Sequence, residues 1–307
     1  MVLRAAMLWI AGNATAERVV RKAPLTKPLV ARFVAGETLD AAVGVGRDLA
    51  SRHLTTTLDL LGENVAERSA AETACDAYIG LLDRLQQEGL AGNISIKLTM
   101  LGLDIDDAFC AGLLARIVGH AAELDAFVRV DMEAAAYTQR TLDLFTAIHE
   151  QHPAHVGIVL QSYLYRTDED LEAMIARGAR IRIVKGAYRE EETVAYAAKS
   201  DVDAAYRRHI ERLLTAGHYP AIATHDEAMI ALVRQRAKQH AIAPTGYEFQ
   251  MLLGVRRDLQ DALVAEGFTV RVYVPYGTAW YPYFTRRLAE RPANILFIAR
   301  SLWRDRG

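Results

Sequence analysis

Four side chains near the C-terminus of the 307-residue chain are spaced for one helical face. Tyr283, Arg286, Arg287 and Glu290 follow an i, i+3, i+4, i+7 pattern after Trp280-Tyr281-Pro282, and Pro292 marks the expected helix end. Adjacent arginines beside aromatic rings suit a bidentate clamp on a carboxylate or phosphate. Glu290 would then partner an arginine or a ligand hydroxyl; a solvated stripe with an Arg286–Glu290 pair is the plainer alternative. A second group is Arg182-Ile183-Val184-Lys185-Gly186-Ala187-Tyr188, a β-rich run whose Lys-Gly-Ala end lets backbone approach an anion while Lys185 supplies charge. Thr224-His225-Asp226 ends another such run and adds hydroxyl and imidazole donors. Together the two run ends could hold a pyrophosphate.

The elements that must carry these residues alternate along the chain. Eight β-rich runs cover Thr57 to Glu63, Ile94 to Thr99, Phe127 to Glu133, Val156 to Leu164, Arg180 to Tyr188, Pro220 to Asp226, Tyr247 to Gly254 and Val270 to Gly277. Amphipathic segments lie between them, among them Ala66 to Gly89, Ala108 to Leu124, Leu142 to Gln151, Asp203 to Ala216 and Glu227 to Gln239. Strand and helix in alternation give a parallel α/β sheet, and eight even units favour a closed (βα)8 barrel of the TIM type over an open doubly wound sheet. Residues 1–55 fall outside the count and read as an N-terminal helical arm, with helices expected at Ala16 to Val34 and Leu39 to Ser51; residues 56–307 form the catalytic barrel.

Period-2 alternation assigns the strand faces. Ile94, Ile96 and Leu98 oppose Ser95, Lys97 and Thr99; Val128, Val130 and Met132 oppose Arg129, Asp131 and Glu133; Val270, Val272 and Val274 oppose Arg271, Tyr273 and Pro275. The apolar faces meet the helices, so the interior receives Lys97, Asp131, Gln161, Arg182 and Tyr273 close to the strand C-termini, where barrel enzymes keep their active sites. Unpaired buried charge is costly, which leaves two readings: structural ion pairs such as Lys97 with Asp131, or a polar pocket at the C-terminal mouth.

Composition narrows the function classes. Lys and Arg number 36 against 38 Asp and Glu, a net charge of −2, which argues against a nucleic-acid binder. With 51% hydrophobic residues the chain is a globular protein able to bury roughly 75% of its unfolded surface. Cys75 and Cys110 form no C-x-x-C pair, so a reduced, cytosolic-type compartment is expected. Arg4, the apolar stretch Ala5 to Ala11 and Ala14-Thr15-Ala16 imitate a weak signal peptide, but the run is short and Asn13 interrupts it; an ordinary helix is expected there. Gly44-Val45-Gly46 imitates part of a dinucleotide fingerprint inside a helical segment. His149, His152 and His155 straddle Pro153 without a second cluster, so no metal is expected. Glu190-Glu191-Glu192 reads as a solvated loop face, and the connection to Asp201 as a lid.

At these residues the sequence resembles the proline dehydrogenase family in its short monofunctional bacterial form. The resemblance is carried, in family order, by Leu61-Gly62-Glu63, Ser95-Ile96-Lys97-Leu98, Asp131-Met132-Glu133, Gln161-Ser162-Tyr163, Arg182 to Tyr188, Ala223-Thr224-His225-Asp226, Glu248-Phe249-Gln250-Met251-Leu252, Tyr273 to Gly277 and Tyr283-x-x-Arg286-Arg287-x-x-Glu290. It implies an FAD-containing barrel that oxidises L-proline to Δ1-pyrroline-5-carboxylate by hydride transfer to flavin N5, the first step of proline catabolism. It assigns the substrate carboxylate to Arg286, Arg287 and Lys97, and the ring walls to Tyr188, Leu252, Tyr273 and Tyr283. Tyr273 would exclude ring-hydroxylated substrates. Asp131 would orient Lys97 and the substrate-side groups, Arg182 would favour the reduced flavin, and Glu63 would pair with Arg286 as a gate. Met132, Gln161, Arg182, Lys185, Gly186, Ala187, Thr224, His225, Gln250 and Glu290 would hold FAD. The same resemblance implies a membrane quinone as electron acceptor, hence a cytoplasmic protein in peripheral contact with the inner face of the membrane; a homo-oligomer is compatible with the sequence. Arg189 departs from the commoner aromatic or aliphatic residue after Tyr188. Two other readings use the same residues: a flavin-free lyase or aldolase with a Schiff base on Lys97 or Lys185, and a non-catalytic anion-binding module.

Overall fold

The eight β-rich runs become eight parallel strands that pair in sequence order and close on themselves: β1 (Thr55–Leu60), β2 (Asn93–Ile96), β3 (Phe127–Val130), β4 (Val156–Gln161), β5 (Arg180–Val184), β6 (Ala221–Ala223), β7 (Glu248–Leu252) and β8 (Thr269–Tyr276). The computed structural model describes residues 17–18 and 26–290. The N-terminal segment through Ala16, and residues 19–25 of the expected helix from Ala16 to Val34, lie outside the described residues; helix α1 covers Lys27–Phe33. Helix α2 (Leu39–Ser51) starts where expected, with the Thr38 hydroxyl accepting from Ala41 N, and it absorbs Gly44 and Gly46 into an ordinary turn. The crossover helices are α3 (Arg68–Gln87), α4 (Asp107–Glu123), α5 (Thr138–Gln151), α6 (Thr167–Ala176), α7 (Lys199–Ala216), α8 (Glu227–Gln239) and α9 (Arg257–Ala265); α10 (Trp280–Glu290) follows β8.

Most strands stop several residues earlier than their β-rich runs. Pairing of β2 with β3 ends at Ile96↔Val130, after which Leu98–Leu101 coils into a 3₁₀ turn. Lys97 and Asp131 therefore stand just past the last paired residues, at the rim. The outward faces are apolar as alternation requires: Ile94, Ile96, Val128, Val130, Ile158, Ile183, Val272 and Val274 are buried in one continuous core with the helices. Met132, beyond the end of β3, belongs to the same core and also reaches the cavity at the mouth.

Helix α10 is not a wall of the barrel. The groove outside β8 and β1 is covered by α2, which buries Ala42, Val43 and Leu49 there. Released from that position, α10 packs Trp280, Tyr281, Tyr283 and Phe284 against Phe33, Val34 and Leu61, over the mouth. Trp280 Nε1 donates to Glu37 Oε1 at 2.7 Å and helps hold its first turn.

The barrel interior is charged from bottom to top. Near the N-terminal end, Arg271 Nε donates to both Glu248 oxygens at 3.0 and 3.1 Å and its Nη1 to the Thr56 carbonyl at 2.8 Å. Arg129, 2% exposed, crosses to the carbonyl of Ile158 at 3.1 Å and to that of Arg180. Burial, together with Arg182, Arg180 and Arg271, pulls its guanidinium well below the usual arginine range, with Glu248 opposing. Room for this guanidinium comes from Gly157, where a Cβ would lie 2.5 Å from Arg129 Nη1 and 2.5 Å from the Arg180 carbonyl. Among the described residues no helix is long and apolar enough to cross a membrane.

Glu248 holds the counter-charge for this cationic base, so Glu248→Leu strands buried arginines and should cost about 3–5 kcal/mol. Urea unfolding measures it, and an unchanged midpoint would contradict the network described.

Candidate active site

The C-terminal ends of the strands and the start of α10 enclose one cavity of about 480 Å³, within the range of small-molecule sites. Its floor is the upper part of the interior network. Lys97, 8% exposed at the end of β2, donates to Asp59 Oδ1 at 2.8 Å and stands 3.8 Å from Asp131 Oδ2. The expected Lys97–Asp131 pair is thus the weaker half of a triad whose nearer carboxylate is Asp59, on β1. Burial alone would lower the Lys97 ammonium, but Asp59 and Asp131 outweigh it and hold it above the ordinary lysine value. A lysine held charged is no Schiff-base nucleophile, which removes the support for Lys97 in a lyase reading. Burial and the neighbouring Asp131 drive Asp59 upward against Lys97, and its Oδ2 is buried with no hydrogen-bond partner.

Asp131 is held on every side. Arg182 Nη1 donates to Oδ1 at 2.7 Å, Ser95 Oγ to Oδ1 at 3.2 Å and Tyr273 OH to Oδ2 at 2.8 Å. The Arg182 guanidinium lies 5.3 Å from the centre of the Tyr273 ring, and its Nε donates to Gln250 Oε1. Gln250 Nε2 in turn donates to Glu248, so the amide orientation is set by a carboxylate below and a guanidinium above. Burial, followed by the Asp131 and Asp59 charges, pushes the Tyr273 phenol well above its usual value, so it stays a donor.

One wall comes from the loop after β5. Gly186 has φ +122°, and a Cβ there would meet the Tyr163 ring at 2.3 Å, so glycine is required by both conformation and space. The side-chain direction at Gly186 belongs to Tyr163, while its backbone lines the cavity with Ala187 and Tyr188. Burial raises the Tyr188 phenol. Lys185, the charge expected at this strand end, is paired: it donates to Asp203 Oδ1 at 2.6 Å and Asp226 Oδ2 at 3.4 Å. Lys199 also pairs with Asp203 and lines the same wall. Glu190, expected in solvent with its two neighbours, is half-buried and accepts from Ala135 N at 2.8 Å and Tyr163 OH at 3.3 Å. With Tyr196 N bonded to the Tyr163 carbonyl at 2.8 Å, the expected lid is pinned to the β4–α6 loop.

The other walls are Gln161, Met132, Thr224, His225, Gln250 and Leu252. Gln161 Nε2 donates to the Glu133 carbonyl at 2.8 Å, and His225 Nε2 accepts from Leu252 N at 2.9 Å, which puts the proton of a neutral imidazole on Nδ1. From α10, Tyr283, Arg286 and Arg287 face the cavity. Arg286 Nη1 donates to Glu63 Oε1 at 2.7 Å, and the Arg287 guanidinium lies 5.3 Å from the Tyr283 ring centre. Glu63 joins through this pair from the β1–α3 loop. Glu290 ends the helix, and its side chain lies outside the described residues.

Sequence reasoning passed over Asp59, Phe33 and Asp203. Asp59 was detectable: Thr55, Thr57 and Asp59 share the inner face of β1 by the alternation that found Lys97. Phe33 and Asp203 sit on helices and reach the site only through tertiary packing.

Comparison with known proteins agrees with this architecture. A family model described as proline dehydrogenase matches residues 42–300. The chain is 41% identical over 271 residues to proline dehydrogenase 2 of Bacillus subtilis, covering 88% of this chain and 89% of that one. It is 41% identical over 303 residues to the proline dehydrogenase of Deinococcus radiodurans, covering 97% of each. Among solved structures, proline utilization A from Bdellovibrio bacteriovorus, inactivated by N-propargylglycine, superposes with a TM-score of 0.81 at 27% identity over 87% of this chain, which spans 33% of that longer one.

Removing the one cation between two buried carboxylates has a pH signature. In Lys97→Met, Asp59 is raised further in the folded state, so the protonated acid is favoured by folding and stability falls as pH rises above the unfolded carboxylate value of about 3.9. Urea unfolding should show a larger loss relative to the parent at pH 8 than at pH 5; equal losses would refute the triad.

Proposed function

Because the chain belongs to the proline dehydrogenase family and is an enzyme of proline oxidation, we propose that its cavity binds FAD beside L-proline and yields Δ1-pyrroline-5-carboxylate. The observation that carries this reading is a cationic mouth, made by Arg286, Arg287 and Lys97, above aromatic and apolar walls and a rigid Asp131–Arg182–Tyr273 floor. The donor set supports a large, polar-edged heteroaromatic cofactor carrying phosphates. Lys185, Lys199, Thr224, His225 and the Gly186–Ala187 backbone offer cations, a hydroxyl, an imidazole and main chain, while Val159, Val184 and Met132 are apolar. When bound, FAD supplies the two-electron acceptor for the hydride that leaves the ring carbon next to nitrogen.

The chain's own groups bind, orient and exclude water. Arg286 and Arg287 grip the substrate carboxylate, and Lys97, kept charged by Asp59 and Asp131, adds a third positive contact. Tyr188, Leu252, Tyr273 and Tyr283 wall the ring. The reacting amine must be uncharged, because its lone pair forms the C=N bond as hydride leaves; the resulting iminium then gives up its proton. A surplus of fixed positive charge at the carboxylate end favours the anionic carboxylate with a neutral amine over the zwitterion. Asp131, saturated by Arg182, Ser95 and Tyr273, is a fixed electrostatic support rather than a base. Arg182 faces the cofactor side, where its charge favours reduction. Gln161, Gln250 and Met132 complete the cofactor wall. Glu63, bonded to Arg286, closes over bound substrate. We further propose that electrons pass to a membrane quinone through peripheral contact with the cytoplasmic face of a membrane.

Purified enzyme reconstituted with FAD should be yellow and bleach anaerobically on adding L-proline; protein that stays colourless and cannot be reconstituted would overturn the cofactor assignment. Arg286→Ala and Arg287→Ala should each raise KM for proline about 10–100-fold, the size of one lost charge-assisted hydrogen bond, with smaller effects on kcat. Steady-state kinetics read this directly, and a parental KM in both variants refutes the carboxylate clamp.

A further inference from the structure

The Glu63–Arg286 pair spans two elements with little else in common: a loop after β1 and the helix over the mouth. Glu63 lies in a stretch without regular structure between β1 and α3, and the next residue, Asn64, has φ +58°. A left-handed residue redirects the chain there, so the aim of the Glu63 side chain depends on what holds the following peptide groups. Both are held by one residue. Asn64 N donates to Thr99 Oγ1 at 3.1 Å, and Val65 N to the Thr99 carbonyl at 3.0 Å. Thr99 is itself fixed by Glu133, whose Oε1 accepts from the Thr99 hydroxyl at 2.6 Å and Oε2 from Thr99 N at 3.1 Å. A hydroxyl has one proton. By taking it, the Glu133 carboxylate turns a Thr99 lone pair toward Asn64 N–H. Thr99 is fully buried and Glu133 is 3% exposed, so water does not substitute for either contact.

We propose that Thr99 and Glu133 are positioning residues that hold the Glu63 carboxylate against Arg286 and thereby set the affinity for substrate. This rests on the reading of Glu63–Arg286 as part of the substrate pocket. The three links run from β3 through the turn after β2 to the β1 loop, so the ends of the first three strands act together on a helix that follows the eighth.

The test uses holoenzyme and four variants: Thr99→Val, which keeps shape and loses the hydroxyl, Thr99→Ser, which keeps the hydroxyl, Glu63→Gln, and Thr99→Val combined with Glu63→Gln. Two readouts are taken: steady-state kinetics with proline, and calorimetric binding of tetrahydrofuran-2-carboxylate, a proline analogue with no amine to oxidise. Thr99→Val should raise KM and the analogue Kd about tenfold, one hydrogen bond's worth, with kcat within about threefold. Thr99→Ser should stay within about twofold of the parent, and in the Glu63→Gln background Thr99→Val should add less than about twofold, because coupled sites are non-additive. A Thr99→Val enzyme with parental KM and Kd, or one whose penalty persists in full on Glu63→Gln, overturns the positioning role while an impaired Glu63→Gln leaves the pocket reading standing. A Glu63→Gln enzyme with parental KM overturns the pocket reading and the proposal with it. Should Thr99→Val not fold, Glu133→Gln, whose amide group removes the acceptor that fixes the Thr99 hydroxyl proton, is read by the same criteria.

Discussion

Every charged group sealed inside the barrel must find polar partners there, because water is not available to solvate it. The interior satisfies this with a chain of bonds instead of isolated pairs. Arg271 binds Glu248, Glu248 orients Gln250, Gln250 holds Arg182, and Arg182 binds Asp131, which also receives Tyr273 and Ser95. Asp59 and Lys97 flank the top of that chain. Glu248, Gln250, Arg182 and Asp131 are each bonded to at least two neighbours, so the floor of the cavity is ordered by its own hydrogen bonds. Preorganisation of this kind is what a reaction short of acid–base machinery asks of its protein.

The same constraint explains what could be read from the sequence. Alternation assigned apolar and polar faces correctly, and it identified Lys97, Asp131, Gln161, Arg182 and Tyr273 at one end because a polar residue on the inner face of a barrel strand has few innocent roles. The closed order of strands followed from eight even repeats. Alternation put Thr99 and Glu133 on the inner faces as well, but both stand past the ends of their strands, in turns where they bond each other and not a cavity, an outcome that periodicity does not reach. β-rich composition continued through those turns, which is why strand ends were expected too late. The partners of Lys185, Asp203 and Asp226, lie on α7 and at the cap of α8, where strand alternation says nothing. The face of α10 was legible from spacing, and its start at the mouth from its place after the eighth strand; that α2 and not α10 covers the groove outside β8 and β1 was not, because it depends on tertiary packing.

Aromatic packing then connects this arrangement to the site. Phe33 and Val34, which precede the barrel in sequence, support the underside of α10 together with Leu61, and Phe33 also lines the cavity. Segments from before the barrel, from its first loop and from after its last strand therefore meet where Arg286 and Arg287 are anchored. Arg286 gains its orientation from the apolar packing of its helix on one side and from Glu63 on the other.

The borrowed wall also orders events during synthesis. Helix α2 emerges before the first strand, yet part of the surface it must cover belongs to the last strand, roughly 200 residues later. At about 5–20 residues per second that strand follows roughly ten to forty seconds behind. Until then Ala42, Val43 and Leu49 have half their cover missing and the sheet has two open edges. The arrival of β8 closes the sheet, completes the surface that α2 covers and leaves α10 to settle over the mouth.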